Sequence, residues 1–282
     1  MNIIVMKKIG FCYGVNRSIE ITNKVKDNYK EPWILLGPLV HNDYVNNDLI
    51  NSGYQMLNNQ NAINNYQNAT FISTAHGIDP ILKEQIEKNN TLVDTTCPIV
   101  LNNNKKIFKY FADGFDVVYI GKKNHQESNG IKNYIHLIEN VKDIKNLILT
   151  SSKIVLTNQT TMSIKDIEEC KNELIKIYPN CLIDTVICPA TKERQIELLD
   201  HLNKYHLPAD KWLIIGDKKS NNTNKLYELA NSFTKNLHYV ESVDDIKQID
   251  FSNTLNLLVT SGTSTPNTII TEIVEYIKEN IQ

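Results

Sequence analysis

Val117-Val118-Tyr119-Ile120-Gly121 is a short apolar run closed by glycine, and the same figure occurs twice more, as Trp33-Ile34-Leu35-Leu36-Gly37 and Trp212-Leu213-Ile214-Ile215-Gly216. Runs of this kind, bounded by turn residues and followed by amphipathic stretches, predict strands that feed helices, the alternation of an α/β fold. Four residues past each glycine stands a polar group: His41, His125 and Ser220. A second set of strands follows, Thr70-Phe71-Ile72, Ile154-Val155-Leu156 and Leu257-Leu258-Val259, each running into a hydroxyl- or His-bearing loop that holds His76, Thr160 or Ser264. Gly37 to His76 and Gly121 to Thr160 are both 39 residues, and Gly216 to Ser264 is 48. A spacing that recurs in this way reads as three βα units of similar layout.

The cysteines keep the same rhythm. Cys12, Cys97 and Cys188 are 85 and 91 residues apart, and each follows a strand and precedes a helix-like segment. Pro98 and Pro189 suit the first helical position, where a missing N–H costs nothing. One thiol therefore opens one helix in each third. Cys170, inside the amphipathic Ser163–Cys170 stretch, and Cys181, at the entry to a strand, read as helix-face or core thiols. The Asn-rich stretch 58–68 reads as a surface loop. The expected lobes are 14–96, 97–189 and 190–282, the last completed by strand-bearing residues 1–13.

Composition narrows the function. The 282 residues carry 30 Lys+Arg and 32 Asp+Glu, a net charge of −2, with 41% hydrophobic and 22% charged residues. Near-neutral charge without a basic run provides no footprint for nucleic acid. The longest apolar runs fall far short of the roughly 20 residues a membrane span needs. The first eight residues, Met1 to Lys8, read as a strand rather than a signal peptide, so a cytoplasmic location is expected. Five cysteines, an odd number in a chain of this size, speak against a disulfide framework and leave metal or redox chemistry open.

In an open α/β sheet, ligands gather beyond the carboxyl ends of the strands. Three such units around a pseudo-threefold axis would turn their strand-end loops, and three thiols, toward one cavity. Helix N-termini favour the thiolate, the form that binds iron or zinc. No C-x-x-C pair occurs, so a zinc ribbon, a thioredoxin motif and the ferredoxin ligand run are unsupported. Three dispersed thiolates suit a cubane cluster whose fourth iron is left for substrate. A Cys3His zinc site, or three small buried residues, are the competing readings. His41, His76 and His125, with Thr160, Ser220, Asn222 and Ser264, supply hydrogen-bond donors beside helix N-termini, a set suited to a phosphate or diphosphate. Glu127, two residues after His125, is the best-placed carboxylate for proton donation; an ordinary solvated loop glutamate is the alternative. Asp94 and Asp184 read as supports for loops or helix starts.

Taken in order, Gly10-Phe11-Cys12-Tyr13-Gly14-Val15-Asn16-Arg17, Val40-His41-Asn42, Thr74-Ala75-His76-Gly77, Asp94-Thr95-Thr96-Cys97-Pro98, Gln159-Thr160-Thr161 and the Gly216 and Ser264 loops resemble the LytB/IspH family of 4-hydroxy-3-methylbut-2-enyl diphosphate reductases. The resemblance runs from about residue 9 to Pro266. It implies a trefoil of three α/β lobes around a central [4Fe-4S] cluster, with Cys12, Cys97 and Cys188 as ligands. It also implies diphosphate binding by His41, His76, His125, Ser220, Asn222 and Ser264, with Asn221 in the same loop. Glu127 falls on the family's proton donor and Thr160 on the threonine that orients the substrate hydroxyl, supported by Thr161. The implied reaction is reductive dehydroxylation of an allylic diphosphate in the non-mevalonate isoprenoid pathway, yielding isopentenyl and dimethylallyl diphosphate, with electrons from ferredoxin or flavodoxin. Three positions depart from the family pattern: Asn221 replaces a common serine, Gln126 a proline, and Pro189 a frequent aromatic. Two other readings stay open: a [4Fe-4S] dehydratase or condensing enzyme of the quinolinate synthase type, and a non-catalytic zinc- or diphosphate-binding module.

Overall fold

A computed structural model describes residues 1–57 and 59–281. Asn58, one end of the expected surface loop, and Gln282, the end of the expected third lobe, lie outside the described residues. The chain forms two compact units, one of residues 14–40 and 46–188, the other of residues 1–13, 41–45 and from Pro189 onward.

The larger unit carries two sheets. In the first, β2 (Trp33–Leu35), β3 (Gln55–Met56), β4 (Thr70–Ile72) and β5 (Thr91–Val93) pair in the order β3-β2-β4-β5. Its helices are α1 (Tyr13–Asn23), α2 (Val25–Asn28), α3 (Asp43–Asn51) and α4 (Pro80–Glu87), of which α1 and α3 straddle the division between the units. In the second, β6 (Asp116–Ile120), β7 (His136–Ile138), β8 (Ile154–Asn158) and β9 (Leu182–Ile183) pair as β7-β6-β8-β9, with α5 (Pro98–Ala112), α6 (Gln126–Asn129) and α7 (Ile164–Ile177). The smaller unit holds β1 (Asn2–Val5), β10 (Asp210–Ile215), β11 (Leu237–Val240) and β12 (Asn256–Ser261) in the order β1-β12-β10-β11. Its helices are α8 (Pro189–Leu202), α9 (Asn221–Asn231), α10 (Val243–Ile246) and α11 (Asn267–Asn280). Every described strand pair is parallel, so the chain has three α/β lobes, each with a four-stranded parallel sheet.

Continuous apolar runs become central strands because helices bury both faces of a parallel sheet. Leu213 and Ile215 enter one core with Ile273 and Ile277 of α11, while the alternate residues Trp212 and Ile214 enter another with Leu198 and Leu226. Val118 and Ile120 similarly face Leu156 and Ile167, and Val117 and Tyr119 face Ile107 and Val155. Helix α7 places Ile167, Cys170 and Leu174 on one buried stripe, and the Ser163 hydroxyl caps it by accepting the Asp166 N–H at 3.1 Å. The Asn-rich stretch departs from the loop reading: Gln60–Asn65 is a 3-10 helix that buries Ile63 in the core of the first sheet. Ile63, with Leu57 and Tyr66 on either side packed against the same core, docks this polar segment. Among the described residues, no helix is long and apolar enough to cross a membrane.

The strand-closing glycines matter where backbone and side chains approach closely. Gly216 has φ +147°, and a Cβ there would lie 2.7 Å from Thr265 Oγ1 and 2.9 Å from Thr223 Oγ1. Gly216→Ala is expected to cost about 2 kcal/mol, strain and overlap combined. Urea unfolding checks this: the midpoint should fall at constant slope.

Candidate active site

In the larger unit, the sequence rule that a thiol opens each helix holds. Cys97 is the N-cap residue of α5, with Pro98 at the first helical position, and Cys188 directly precedes Pro189 at the start of α8. Both thiols are partly exposed and free. Burial raises the Cys97 thiol above its ordinary value; the amides of Ile99 and Val100 oppose this, and the charges of Cys188 and Glu127 add to it. Cys188 and Glu127 therefore each lie within electrostatic reach of Cys97.

Glu127 is not in a solvated loop. It sits in the one-turn helix α6, only 1% exposed. Its Oε1 accepts the Thr160 N–H at 2.8 Å and the Tyr119 hydroxyl at 3.3 Å, and the Thr160 hydroxyl lies 3.2 Å from Oε2. Burial drives its pKa up to about 7, against these hydrogen bonds, which favour the charged form. The carboxyl is thus poised to hold and release a proton near neutral pH. The Thr160 carbonyl accepts the Cys188 N–H at 2.9 Å. One residue thereby holds the carboxylate through its N–H and hydroxyl and the thiol's backbone through its carbonyl.

His125 caps α6: its Nδ1 accepts the Glu127 N–H at 3.1 Å, which leaves Nε2 as the donor nitrogen in the neutral ring. His76 packs edge-on against His125, with ring centroids 5.4 Å apart. The Thr161 hydroxyl accepts from Gln159 Nε2 at 3.0 Å, while Gln159 Oε1 accepts the Lys122 N–H at 2.9 Å, so Thr161 supports the loop around Thr160. Asp94 accepts hydrogen bonds from Ser73 and from the N–H and hydroxyl of Thr96, bracing the turn before Cys97. Burial would raise its pKa, but these bonds outweigh burial and lower it. Asp184 caps no helix; it pairs with Lys106 at 2.7 Å and with the Tyr110 hydroxyl at 2.9 Å.

In the smaller unit, Cys12 directly precedes α1, and its N–H donates to the Thr263 carbonyl at 3.0 Å. The approach to it is braced at Gly10, whose N–H donates to Ser261 Oγ at 2.8 Å and whose carbonyl accepts Arg194 Nη2 at 2.5 Å. Ser220 caps α9 by accepting the Thr223 N–H at 3.4 Å, and Asn221 and Asn222 form its first turn, all three buried. The amide of Asn222 is engaged at both ends, donating to Thr191 Oγ1 at 3.0 Å and accepting the Thr263 N–H at 3.2 Å. The Ser264 hydroxyl donates to the His41 carbonyl at 2.9 Å. Burial lowers the His41 pKa, Asp217 opposes this and Lys219 reinforces it, so the neutral ring is favoured.

The residues set aside from the site stay outside it. Cys170 is buried in an apolar core with its thiol raised to about 11 by burial, and Cys181 packs against the same core with a similar shift. His136 pairs with Asp116, and His201 and His206 contact the carbonyls four residues back, of Glu197 and Leu202. Sequence reading missed Tyr119, whose place in an apolar run hid its hydroxyl, and the buried amides Asn103 and Asn158, which carried no motif.

The LytB protein family matches residues 3–278. The chain is similar to a 4-hydroxy-3-methylbut-2-enyl diphosphate reductase of Halalkalibacterium halodurans, with 32% identity over 290 residues, covering 99% of this chain and 91% of that one. A Macrococcus caseolyticus protein of the same name is 33% identical, covering 99% and 89%. Among solved structures, the E-1-hydroxy-2-methyl-but-2-enyl-4-diphosphate reductase of Plasmodium falciparum superposes with a TM-score of 0.89 at 27% identity, covering 99% of this chain and 89% of that one. A structure described as (E)-4-hydroxy-3-methyl-but-2-enyl diphosphate reductase, the terminal enzyme of the non-mevalonate pathway, superposes at 0.69 with 26% identity, covering 99% and 100%. With a family match spanning nearly the whole sequence and relatives above 30% identity over about nine-tenths of their length, the chain belongs to the LytB protein family.

Proposed function

We propose that this chain is a 4-hydroxy-3-methylbut-2-enyl diphosphate reductase, converting its allylic substrate to isopentenyl and dimethylallyl diphosphate. The observation that carries the reading is Glu127: a buried carboxyl with a pKa of about 7, held by the residue whose carbonyl also holds the backbone of Cys188. The names of the relatives support it. The donor set fits an iron–sulfur cofactor, because Cys97 and Cys188 are free, partly exposed thiols at helix starts, and the amides of Ile99 and Val100 work for the Cys97 thiolate against the burial that raises its pKa. Cys12, Cys97 and Cys188 would hold a [4Fe-4S] cluster. When bound, such a cluster supplies electrons and Lewis acidity.

The chain's own groups account for the rest of the reaction. Glu127, with its pKa raised to about 7, is still protonated in about half of the molecules at neutral pH and delivers that proton to the departing hydroxyl of the substrate; Thr160 Oγ1, 3.2 Å from Oε2, orients that hydroxyl and can relay the proton. His41, whose pKa burial lowers, gains charge beside a diphosphate, and His76 and His125 offer further ring donors. Ser220, Asn221 and Asn222 add the start of α9, where the helix dipole favours anions. Ser264 and Thr161 complete the polar lining. The lobes are bounded at 14–96, 97–189 and 190–282 with 1–13. Free thiols suit a reducing cytoplasmic setting, and ferredoxin or flavodoxin is the electron donor.

Anaerobic purification followed by iron and sulfide quantitation, then turnover with reduced ferredoxin, tests this reading. The expected result is a coloured protein that consumes hydroxymethylbutenyl diphosphate and forms both products. Zinc in place of iron, or an iron–sulfur protein that leaves this substrate untouched, would overturn it, the latter outcome favouring the quinolinate synthase type.

A further inference from the structure

Beyond Ile183 the β8–β9 backbone ladder stops, yet the segment leading to Cys188 continues alongside β8 and its extension. Asp184 N–H donates to the Leu156 carbonyl at 2.9 Å, and Cys188 N–H donates to the Thr160 carbonyl at 2.9 Å. Between them, the Asn158 side chain stands in for the backbone. Its Oδ1 accepts the Val186 N–H at 2.9 Å, and its Nδ2 donates to the Val186 carbonyl at 2.9 Å and to the Gln159 carbonyl at 2.8 Å. Asn158 is fully buried. Its carbonyl in turn accepts Asn103 Nδ2 at 3.0 Å, and Asn103 lies on α5, the helix that Cys97 opens. A bidentate buried amide of this kind leaves its peptide partner a single register, and its removal strands two partly buried polar groups of Val186.

We infer that Asn158 is a positioning residue for the reaction: its two-pronged grip on the Val186 peptide sets the placement of Cys188 and, through Asn103, ties it to the helix that carries Cys97. The inference rests on Cys97 and Cys188 being cluster ligands.

The test compares anaerobically purified holoprotein bearing Asn158→Ala or Asn158→Ser with the unsubstituted protein. The readouts are the rate of iron release to a ferrous chelator and the electron paramagnetic resonance spectrum of the reduced protein. Loss of the grip is expected to speed iron release roughly tenfold in the alanine variant and to displace the spectrum in both, an effect that a general loss of stability would not produce. Should the alanine variant fail to fold, the serine variant decides. Wild-type release rates and an unchanged spectrum in the folded variants would overturn the proposal. Cys188→Ser is run in parallel. If it retains its full iron, the ligand assignment falls and the proposal with it; if it loses iron while the Asn158 variants do not, the proposal alone falls.

Discussion

Glu127→Gln is expected to lower turnover by about a thousandfold while leaving iron content and substrate binding intact, because the amide keeps the shape and loses the proton. Turnover of the unsubstituted protein should also decline as pH rises through about 7, where the carboxyl ionises. The same substitution is expected to stabilise the fold. The folded pKa of about 7 lies above the ordinary 4.5, so the stability linked to protonation is complete below pH 4.5 and is lost as pH rises through 7. Above that pH the unsubstituted protein bears a cost of up to about 3 kcal/mol that glutamine avoids. Thermal melts at pH 5 and pH 8 check it: the variant's advantage should be small at the lower pH and large at the higher. Normal turnover in the variant would remove Glu127 from the chemistry.

The second large effect concerns the thiols. Cys12→Ser, Cys97→Ser and Cys188→Ser are each expected to remove most of the bound iron, since a serine hydroxyl is a poor substitute for a thiolate ligand. Cys170→Ser should do the opposite, keeping its iron while losing about 1–3 kcal/mol of stability, because it places a hydroxyl in an apolar core. Cys181→Ser, at a half-buried position, should leave iron intact with a smaller stability loss. Iron quantitation alongside urea unfolding separates the two classes. Equal iron loss at all five positions would end the distinction.

Much of the site was legible because its residues sit at strand ends, and strand ends are marked locally. The recurrent apolar run closed by glycine located the strands before His41, His125 and Ser220. Pro98 and Pro189 marked the helix starts beside Cys97 and Cys188. Roles set by burial were not legible. Glu127 reads in sequence as the best-placed proton donor, but nothing local marks the burial that raises its pKa; Asn222 reads as a free donor, though its amide is held by Thr191 and Thr263. Asn158 follows a strand-like run and precedes Gln159-Thr160-Thr161, yet nothing near it announces its hold on Val186, 28 residues away.

The amino-acid sequence by itself determined the α/β lobes, their strands and the helix starts that carry the thiols, because hydrophobic period, glycine and proline act within a few residues of where they stand. Only the tertiary structure decided which carboxyl keeps its proton, which amide braces the Cys188 segment and which donors are already engaged. Those properties come from desolvation and from hydrogen-bond partners tens to hundreds of residues away, such as Thr160 for Glu127 and Ser261 for Gly10. Topology supplies such partners, and no local pattern encodes them.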